Sequence, residues 1–169
     1  PVVQERPHVR TETTFEAYDD TNALRIQTKV TNIAEEAIVL EEVSAFCVSG
    51  LGEKQEPDTM FFTNFLQSHH AECQPRTKDF RELGLCGGLS ESQQRVVGCN
   101  IGSWSTKEQL PMGILEERKN GSFLMFQIES SNSWYYEISD LDEADKKEFL
   151  ADLGVEGSGL DRLIAASYK

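Results

Sequence analysis

The chain has 169 residues, 29 of them Asp or Glu against 16 Lys or Arg, for a net charge of −13; 38% are hydrophobic and 27% charged. This length supports one domain with its own core, and the composition is that of a folded globular protein rather than a disordered one. The acidic balance, with no dense run of Lys or Arg to offset it, excludes nucleic acid and anionic membranes as partners, and no apolar stretch approaches the ~20 residues of a membrane span.

Residues 1–20 lack the charged, apolar and small-residue zones of a signal peptide, and Pro1 is not an initiator methionine, so the gene product is expected to begin upstream. Weak alternation in VRTETTFEAY, residues 9–18, reads as a strand. The clearest strand is ALRIQTKVT, residues 23–31, with Leu24, Ile26, Thr28 and Val30 on one face and Arg25, Gln27 and Lys29 on the other. TNIAEEA reads as the hairpin connection to AIVLEEVSAFCV, residues 37–48. In that run Ile38 and Leu40 are in phase, but the pattern then moves to Val43, Ala45 and Cys47, a slip that predicts a β-bulge near Glu41 and Glu42. MFFTNFL and RVVGCNI alternate more weakly between polar or Gly-containing turns.

Asn120-Gly121 stands between GILEERK and SFLMFQIES and predicts a type I′ hairpin turn, because this pair readily takes positive φ at both positions. SSNS, residues 130–133, then turns the chain into WYYEIS, which predicts a three-stranded meander over about residues 112–139. Helix signals come last. Asp142 can cap DEADKKEFLAD, and Leu160, Leu163 and Ile164 in GSGLDRLIAAS suggest a second short helix. Many strands followed by little helix predict a mainly β protein, an antiparallel β-sandwich with one or two short helices near the C-terminus. Ile26, Val30, Ile38, Leu40 and Trp134 are expected in its core. Cys47, Cys73, Cys86 and Cys99 form neither a C-x-x-C pair nor a dense framework, which favours reduced, mostly buried thiols and a cytoplasmic setting over disulfides or zinc.

Three segments, read in order, resemble one family. IGSWSTKEQLPMGILEE, residues 101–117, and FQIESSNSWYYEISD, residues 126–140, are similar to consecutive stretches in the N-terminal domain of α-galactosidases of glycoside hydrolase family thirty-six. VTNIAEEAIVLEEVSAF, residues 30–46, resembles an upstream pair of strands there, and order and spacing agree over about residues 24–140. The resemblance implies a galactose-mutarotase-like β-supersandwich that packs on a downstream (β/α)₈ barrel in an oligomeric enzyme acting on α-galactosides. It places the two catalytic aspartates on the barrel, which 169 residues could not hold as well, so this chain alone is expected to be catalytically silent and to need no cofactor. The family domain also has strands before the point matching Pro1, so the chain looks like an excised piece. After Leu150 the match fades: where the family has a glycine pair and a Trp-bearing strand, this chain has GVEGSGLDRLIAAS.

FFTNFLQSHHAECQPR, residues 61–76, matches a family stretch that leans over the barrel's sugar pocket, often with an aromatic where His69 or His70 stands here. The resemblance therefore makes Gln67, Ser68, His69, His70, Glu72 and Gln74 candidates for hydrogen bonding to galactose hydroxyls. In an extended segment, His70, Glu72 and Gln74 share one face and His69, Ala71 and Cys73 the other. The bland alternative is a polar cluster at a sheet edge or between domains. Zinc is a poor third, since an extended segment presents about two ligands per face and zinc needs three or four. Trp104, Trp134, Tyr135 and Tyr136 could stack on a sugar, but alternation sends Trp134 and Tyr136 to one side, and core packing is the stronger reading. Among so many carboxylates, sequence proximity identifies no glycosidase acid pair. Asn120-Gly121-Ser122 fits the N-glycosylation pattern, though the turn already explains Asn-Gly. Two alternatives stand beside the accessory-domain reading: a free-standing carbohydrate-binding module, and a self-contained enzyme built on Glu72 and the neighbouring histidines.

Overall fold

The computed structural model describes residues 1–40, 43–49, 57–85, 95–139 and 163–168. The protein is mainly β, in antiparallel sheets. In chain order the strands are β1 (Val2–Arg6), β2 (Val9–Ala17), β3 (Leu24–Asn32), β4 (Val43–Ser49), β5 (Met60–Ser68), β6 (Ala71–Asp79), β7 (Arg95–Asn100), β8 (Gln109–Glu117), β9 (Ser122–Gln127), β10 (Trp134–Ser139) and β11 (Leu163–Tyr168). They form a three-stranded sheet, β1-β2-β3, and two four-stranded sheets, β4-β11-β10-β7 and β6-β5-β8-β9. Among the described residues no helix is long and apolar enough to cross a membrane.

β-branched and aromatic residues suit β2 and β3 to a pleated surface, and a tight reversal joins β1 to β2. Arg6 pairs directly with Val9 across Pro7 and His8, and Pro7 supplies the fixed φ that the first corner of a turn requires. Between β2 and β3, Asp20 takes a left-handed φ of 65°. In β3, Ile26, Thr28 and Val30 are half-buried while Arg25, Gln27 and Lys29 are exposed, so the expected alternation holds; but Ile26 and Val30 do not join the buried core expected of them, and Leu24 at the strand's start is 53% exposed.

The hairpin expected at TNIAEEA does not form. β3 pairs only with β2 among the described strands, and β4 pairs with β11 instead. Asn32 explains part of this: its side-chain oxygen accepts from Ala34 N at 2.9 Å and its amide donates to Glu36 O at 2.8 Å, which curls the chain away from a return strand. Ala37–Leu40 is not a strand; Ile38 is half-buried and Leu40 is 49% exposed, against the expectation that both lie in the core. The bulge expected at Glu41 and Glu42, and the helix expected over residues 142–152, fall outside the described residues. The second short helix is overturned: Leu163–Tyr168 is a strand between β4 and β10, because two strand edges flank it and reward an extended backbone more than a short isolated helix would gain.

The core is one cluster of buried residues drawn from the two four-stranded sheets. Phe62 of β5, Leu115 of β8 and Phe126 of β9 come from one sheet, and Trp134, Tyr136 and Ile138 of β10 from the other. Tyr136 presents its ring edge-on to Phe62 at 5.8 Å and Phe126 at 5.1 Å, and stacks on Trp134 at 5.8 Å, the geometries that the ring quadrupole favours. Met60, Phe80 and Leu85 extend this cluster. Two glycines let the rings approach the backbone. A Cβ at Gly98 would lie 2.1 Å from the Tyr136 ring, and one at Gly113 2.6 Å from Phe62 and 2.8 Å from Phe126.

The β8–β9 hairpin forms as expected but with another turn. Glu117 pairs with Ser122, leaving the loop Arg118–Gly121, in which Gly121 alone has positive φ, 75°. Type I′ needs positive φ at Asn120 too; instead Asn120 Oδ1 accepts from Ser122 N at 2.8 Å and Gly121 N donates to Glu117 O at 2.9 Å. The third strand of the expected meander crosses over: β10 pairs with β7 and β11. Beside β9, Tyr136 would lie next to Phe126; from another sheet it meets that ring edge-on. Cys47, Cys73 and Cys99 are free and exposed rather than buried, because they stand at outward or edge positions of their strands.

Two outcomes are expected. Gly98→Ala and Gly113→Ala should each lower stability by about 2 kcal/mol or more, as overpacked cores do, measured by urea unfolding. Burial, with the Cys99 charge adding to it, pushes the Tyr136 phenol far above its ordinary value. The folded state then holds a proton that the unfolded chain gives up near pH ~10, so this group's contribution is complete below that pH and is lost as pH rises above it. Unfolding curves at about pH 8 and about pH 11 should show a smaller alkaline loss in Tyr136→Phe than in the native chain.

Candidate functional site

The candidate residues occupy the tip of the β5–β6 hairpin. Met60 and Phe62 fix the base of β5 in the core, while the strand becomes exposed from Ser68 onward. Ser68 pairs with Ala71, so His69 and His70 form a two-residue reversal with positive φ only at His70, 67°. That sign pattern belongs to a type II turn, whose third position usually takes glycine. The two imidazole rings lie 3.8 Å apart, tilted by 52°, and both are exposed.

A second irregularity follows. Leu66 pairs with Gln74, so Gln67 on β5 faces both Glu72 and Cys73 on β6, the two-against-one arrangement of a bulge. Cys73 has φ 51°, and its N–H donates to Gln67 Oε1 at 2.9 Å. Gln67 N donates to Glu108 O at 2.9 Å, tying the hairpin to the approach to β8. Gln67 is thus engaged inside the protein, half-buried, and holds the bulge closed. Glu72 and Gln74 are exposed on β6, an outer strand of its sheet. The expected extended segment with two clean faces is therefore replaced by a turn and a bulge, which send the side chains of residues 67–74 in several directions. Among the described residues no group of three or more His, Cys, Asp or Glu could hold a metal ion.

Two shallow grooves lie elsewhere, along the first sheet. One, of about 640 Å³, is lined by Pro1, Glu12, Thr14, Gln27, Thr28 and Lys29. The other, of about 290 Å³, runs where that sheet meets Leu40, Val43 and Ser44. Neither is lined by any residue of the hairpin tip.

The aromatic residues separate sharply. Trp134 and Tyr136 are core, each 1% exposed, whereas Trp104 is 60% exposed on the loop between β7 and β8. That loop is clamped from below: buried Asn100 donates its amide to Trp104 O at 2.7 Å, and Trp134 Nε1 donates to Ser105 O at 2.6 Å. Trp104 Nε1 donates to Thr106 Oγ1 at 3.2 Å, which orients the indole on the surface. Asn100 escaped notice in the sequence, where only its place at the end of RVVGCNI, in phase with Gly98, hinted that it points inward.

No known protein family, curated protein or solved structure matches the chain.

The turn makes its own prediction. Because His70 holds a conformation that costs an L-residue roughly 1 kcal/mol and glycine nothing, His70→Gly should leave stability unchanged or raise it by about that much, whereas His70→Val should lower it. Thermal unfolding of the two variants distinguishes a tolerated turn from one that needs the imidazole.

Proposed function

We propose that the chain is the greater part of the non-catalytic N-terminal β-supersandwich domain of an α-galactosidase of the glycoside hydrolase family thirty-six type. It would pack on the enzyme's own downstream barrel, present residues 67–74 at the rim of the sugar pocket and contribute to oligomer contacts. The observation that carries this reading is that two segments resembling the family meet in one unit. Within residues 101–117 and 126–140, Trp134 Nε1 bonds to Ser105 O at 2.6 Å, Gly102 N to Ser133 Oγ at 3.0 Å and Ile128 N to Pro111 O at 2.7 Å. A cytoplasmic setting goes with this proposal, since exposed thiols at Cys47, Cys73 and Cys99 persist in a reducing compartment.

The role proposed for the hairpin tip is positioning. His69, His70, Glu72 and Gln74 stand free of the core on a braced turn, with donors and acceptors suited to sugar hydroxyls. A rim residue of this kind holds the substrate while the barrel supplies nucleophile and acid/base. A second reading, the free-standing carbohydrate-binding module, is favoured by Trp104, whose exposed indole on a clamped loop offers a flat apolar face to a sugar ring.

In the parent enzyme, Glu72→Ala and His70→Gly, the latter chosen because it suits the backbone, should raise KM with a smaller effect on kcat. The expected size is about 1 to 2 kcal/mol for a lost hydrogen bond. Unchanged kinetics in both variants would remove the rim role. The isolated chain should hydrolyse no aryl α-galactoside above the buffer rate and should bind galactose weakly at most by calorimetry. Micromolar binding lost in Trp104→Ala would instead favour the binding module.

A further inference from the structure

Asn120 alone among the asparagines of the chain is followed by glycine; the others precede Ala, Ile, Phe or Ser. The pair sits at the exposed tip of the β8–β9 hairpin, where the asparagine side chain folds back on its own backbone and Oδ1 accepts from Ser122 N at 2.8 Å. Its amide nitrogen, Nδ2, makes no hydrogen bond among the described residues. Gly121 N donates to Glu117 O at 2.9 Å, and at φ 75° nothing lies within 4 Å of where a Cβ on this glycine would stand. The turn thus places a nucleophile beside an electrophile, since a bond from Gly121 N to Asn120 Cγ closes a small, unstrained ring.

We propose that Asn120 is a self-modification site, where the chain converts its own asparagine to aspartyl and isoaspartyl residues with water as the only reactant. Gly121 N gives up its proton to solvent and attacks Asn120 Cγ. The Cγ–Nδ2 bond breaks and ammonia leaves with a proton taken from solvent, which completes a succinimide. Water then adds at Cγ and reopens the new N–Cγ bond to give Asp, or adds at the main-chain carbonyl and opens the original peptide bond to give isoAsp. Either product carries one more negative charge than the asparagine. The fold favours this in two ways. Negative charge develops on Oδ1 as Cγ becomes tetrahedral, and Ser122 N–H already donates to that oxygen, as an oxyanion donor does. Glycine leaves the attacking nitrogen uncrowded and lets the backbone rotate into the ring. One contact opposes the reaction, because Gly121 N must first release Glu117 O. That bond lies at an exposed turn, so water replaces it at little cost. The core residues Leu115 and Phe126 lie beyond the Glu117–Ser122 pair and need not move. The products differ in what they leave behind. Asp keeps an oxygen for Ser122 N, whereas isoAsp runs the backbone through the former side chain and loses that turn. This inference does not rest on the glycosidase reading.

The test incubates the full chain in mildly alkaline and in mildly acidic buffer, then cleaves after glutamate and follows by mass spectrometry the peptide Arg118–Glu129, in which Gln127 is the only other side-chain amide. A synthetic peptide of the same sequence is incubated alongside. The mass gain of an amide becoming a carboxyl group should build up at Asn120, faster in the alkaline buffer because the attacking nitrogen must lose its proton, and should resolve into separate Asp and isoAsp products. The folded chain should react within about tenfold of the peptide, the factor expected for opening one exposed hydrogen bond. Asn120→Gln keeps an amide but must close a larger ring, so it should gain no mass over the same period, with circular dichroism confirming that it stays folded. A folded chain that reacts more than about tenfold slower than the peptide overturns the proposal, since the hairpin then protects the site. So does a product that is Asp alone, which means direct hydrolysis without the ring, or an equal mass gain in Asn120→Gln.

Discussion

The approach of the Tyr136 ring to the backbone at Gly98 sets the relation between strands on which the central body depends. Tyr136 meets Phe62 and Phe126 because the neighbouring strand β7 offers no side chain at Gly98, and β8 offers none at Gly113 against the two phenylalanines. The register of β7 against β10 is therefore specified by one residue. A slip of one position would put Val97 under the ring and turn every side chain of β7 to the other face.

That register determines what the surface presents. With Gly98 facing inward, Asn100 also faces inward at the strand's end, where its amide can hold Trp104 O, while Trp134 on the paired strand holds Ser105 O. The loop after β7 is thus an extension of the core's hydrogen bonding, and its exposed indole sits on a rigid base. The β5–β6 hairpin is built differently. Its base is fixed by Phe62, and its tip is braced by Gln67, which satisfies Cys73 N inside a bulge. Of the three non-glycine residues at positive φ among the described residues, two, His70 and Cys73, lie there.

The sequence made strands legible where apolar residues alternated against charged ones, as in β3, and where aromatic alternation met a turn, as in β10. Partners were much harder to read. A hairpin was expected between β3 and β4 because nothing in TNIAEEA reveals that Asn32 will curl the chain onto its own backbone. The meander failed for a related reason: alternation shows that Trp134, Tyr136 and Ile138 share a face but not which sheet that face belongs to. Leu163–Tyr168 was misread because LIAAS has helical propensity, and only the strand edges of β4 and β10, remote in sequence, override it. At the candidate site, sequence could name polar residues but could not foresee the bulge that breaks their alternation at Cys73.

The shape of the hairpin tip constrains any role it has with sugars. Recognition of a small polar ligand needs several groups converging on one volume with water excluded, and a turn that projects outward diverges instead. His69 and His70 are exposed at the turn, Gln67 is occupied within the sheet, and Glu72 and Gln74 lie on an outer strand. Hydrogen bonds from such residues gain little in open water, because each replaces one that water already makes. They become selective only when a second surface closes over them and removes that competition. For residues 67–74 to hold a sugar, the concavity must be supplied by a body packed against this hairpin. A rim role therefore requires a barrel surface, while Trp104 on its clamped loop is the one exposed group among the candidates that could meet a sugar ring unaided.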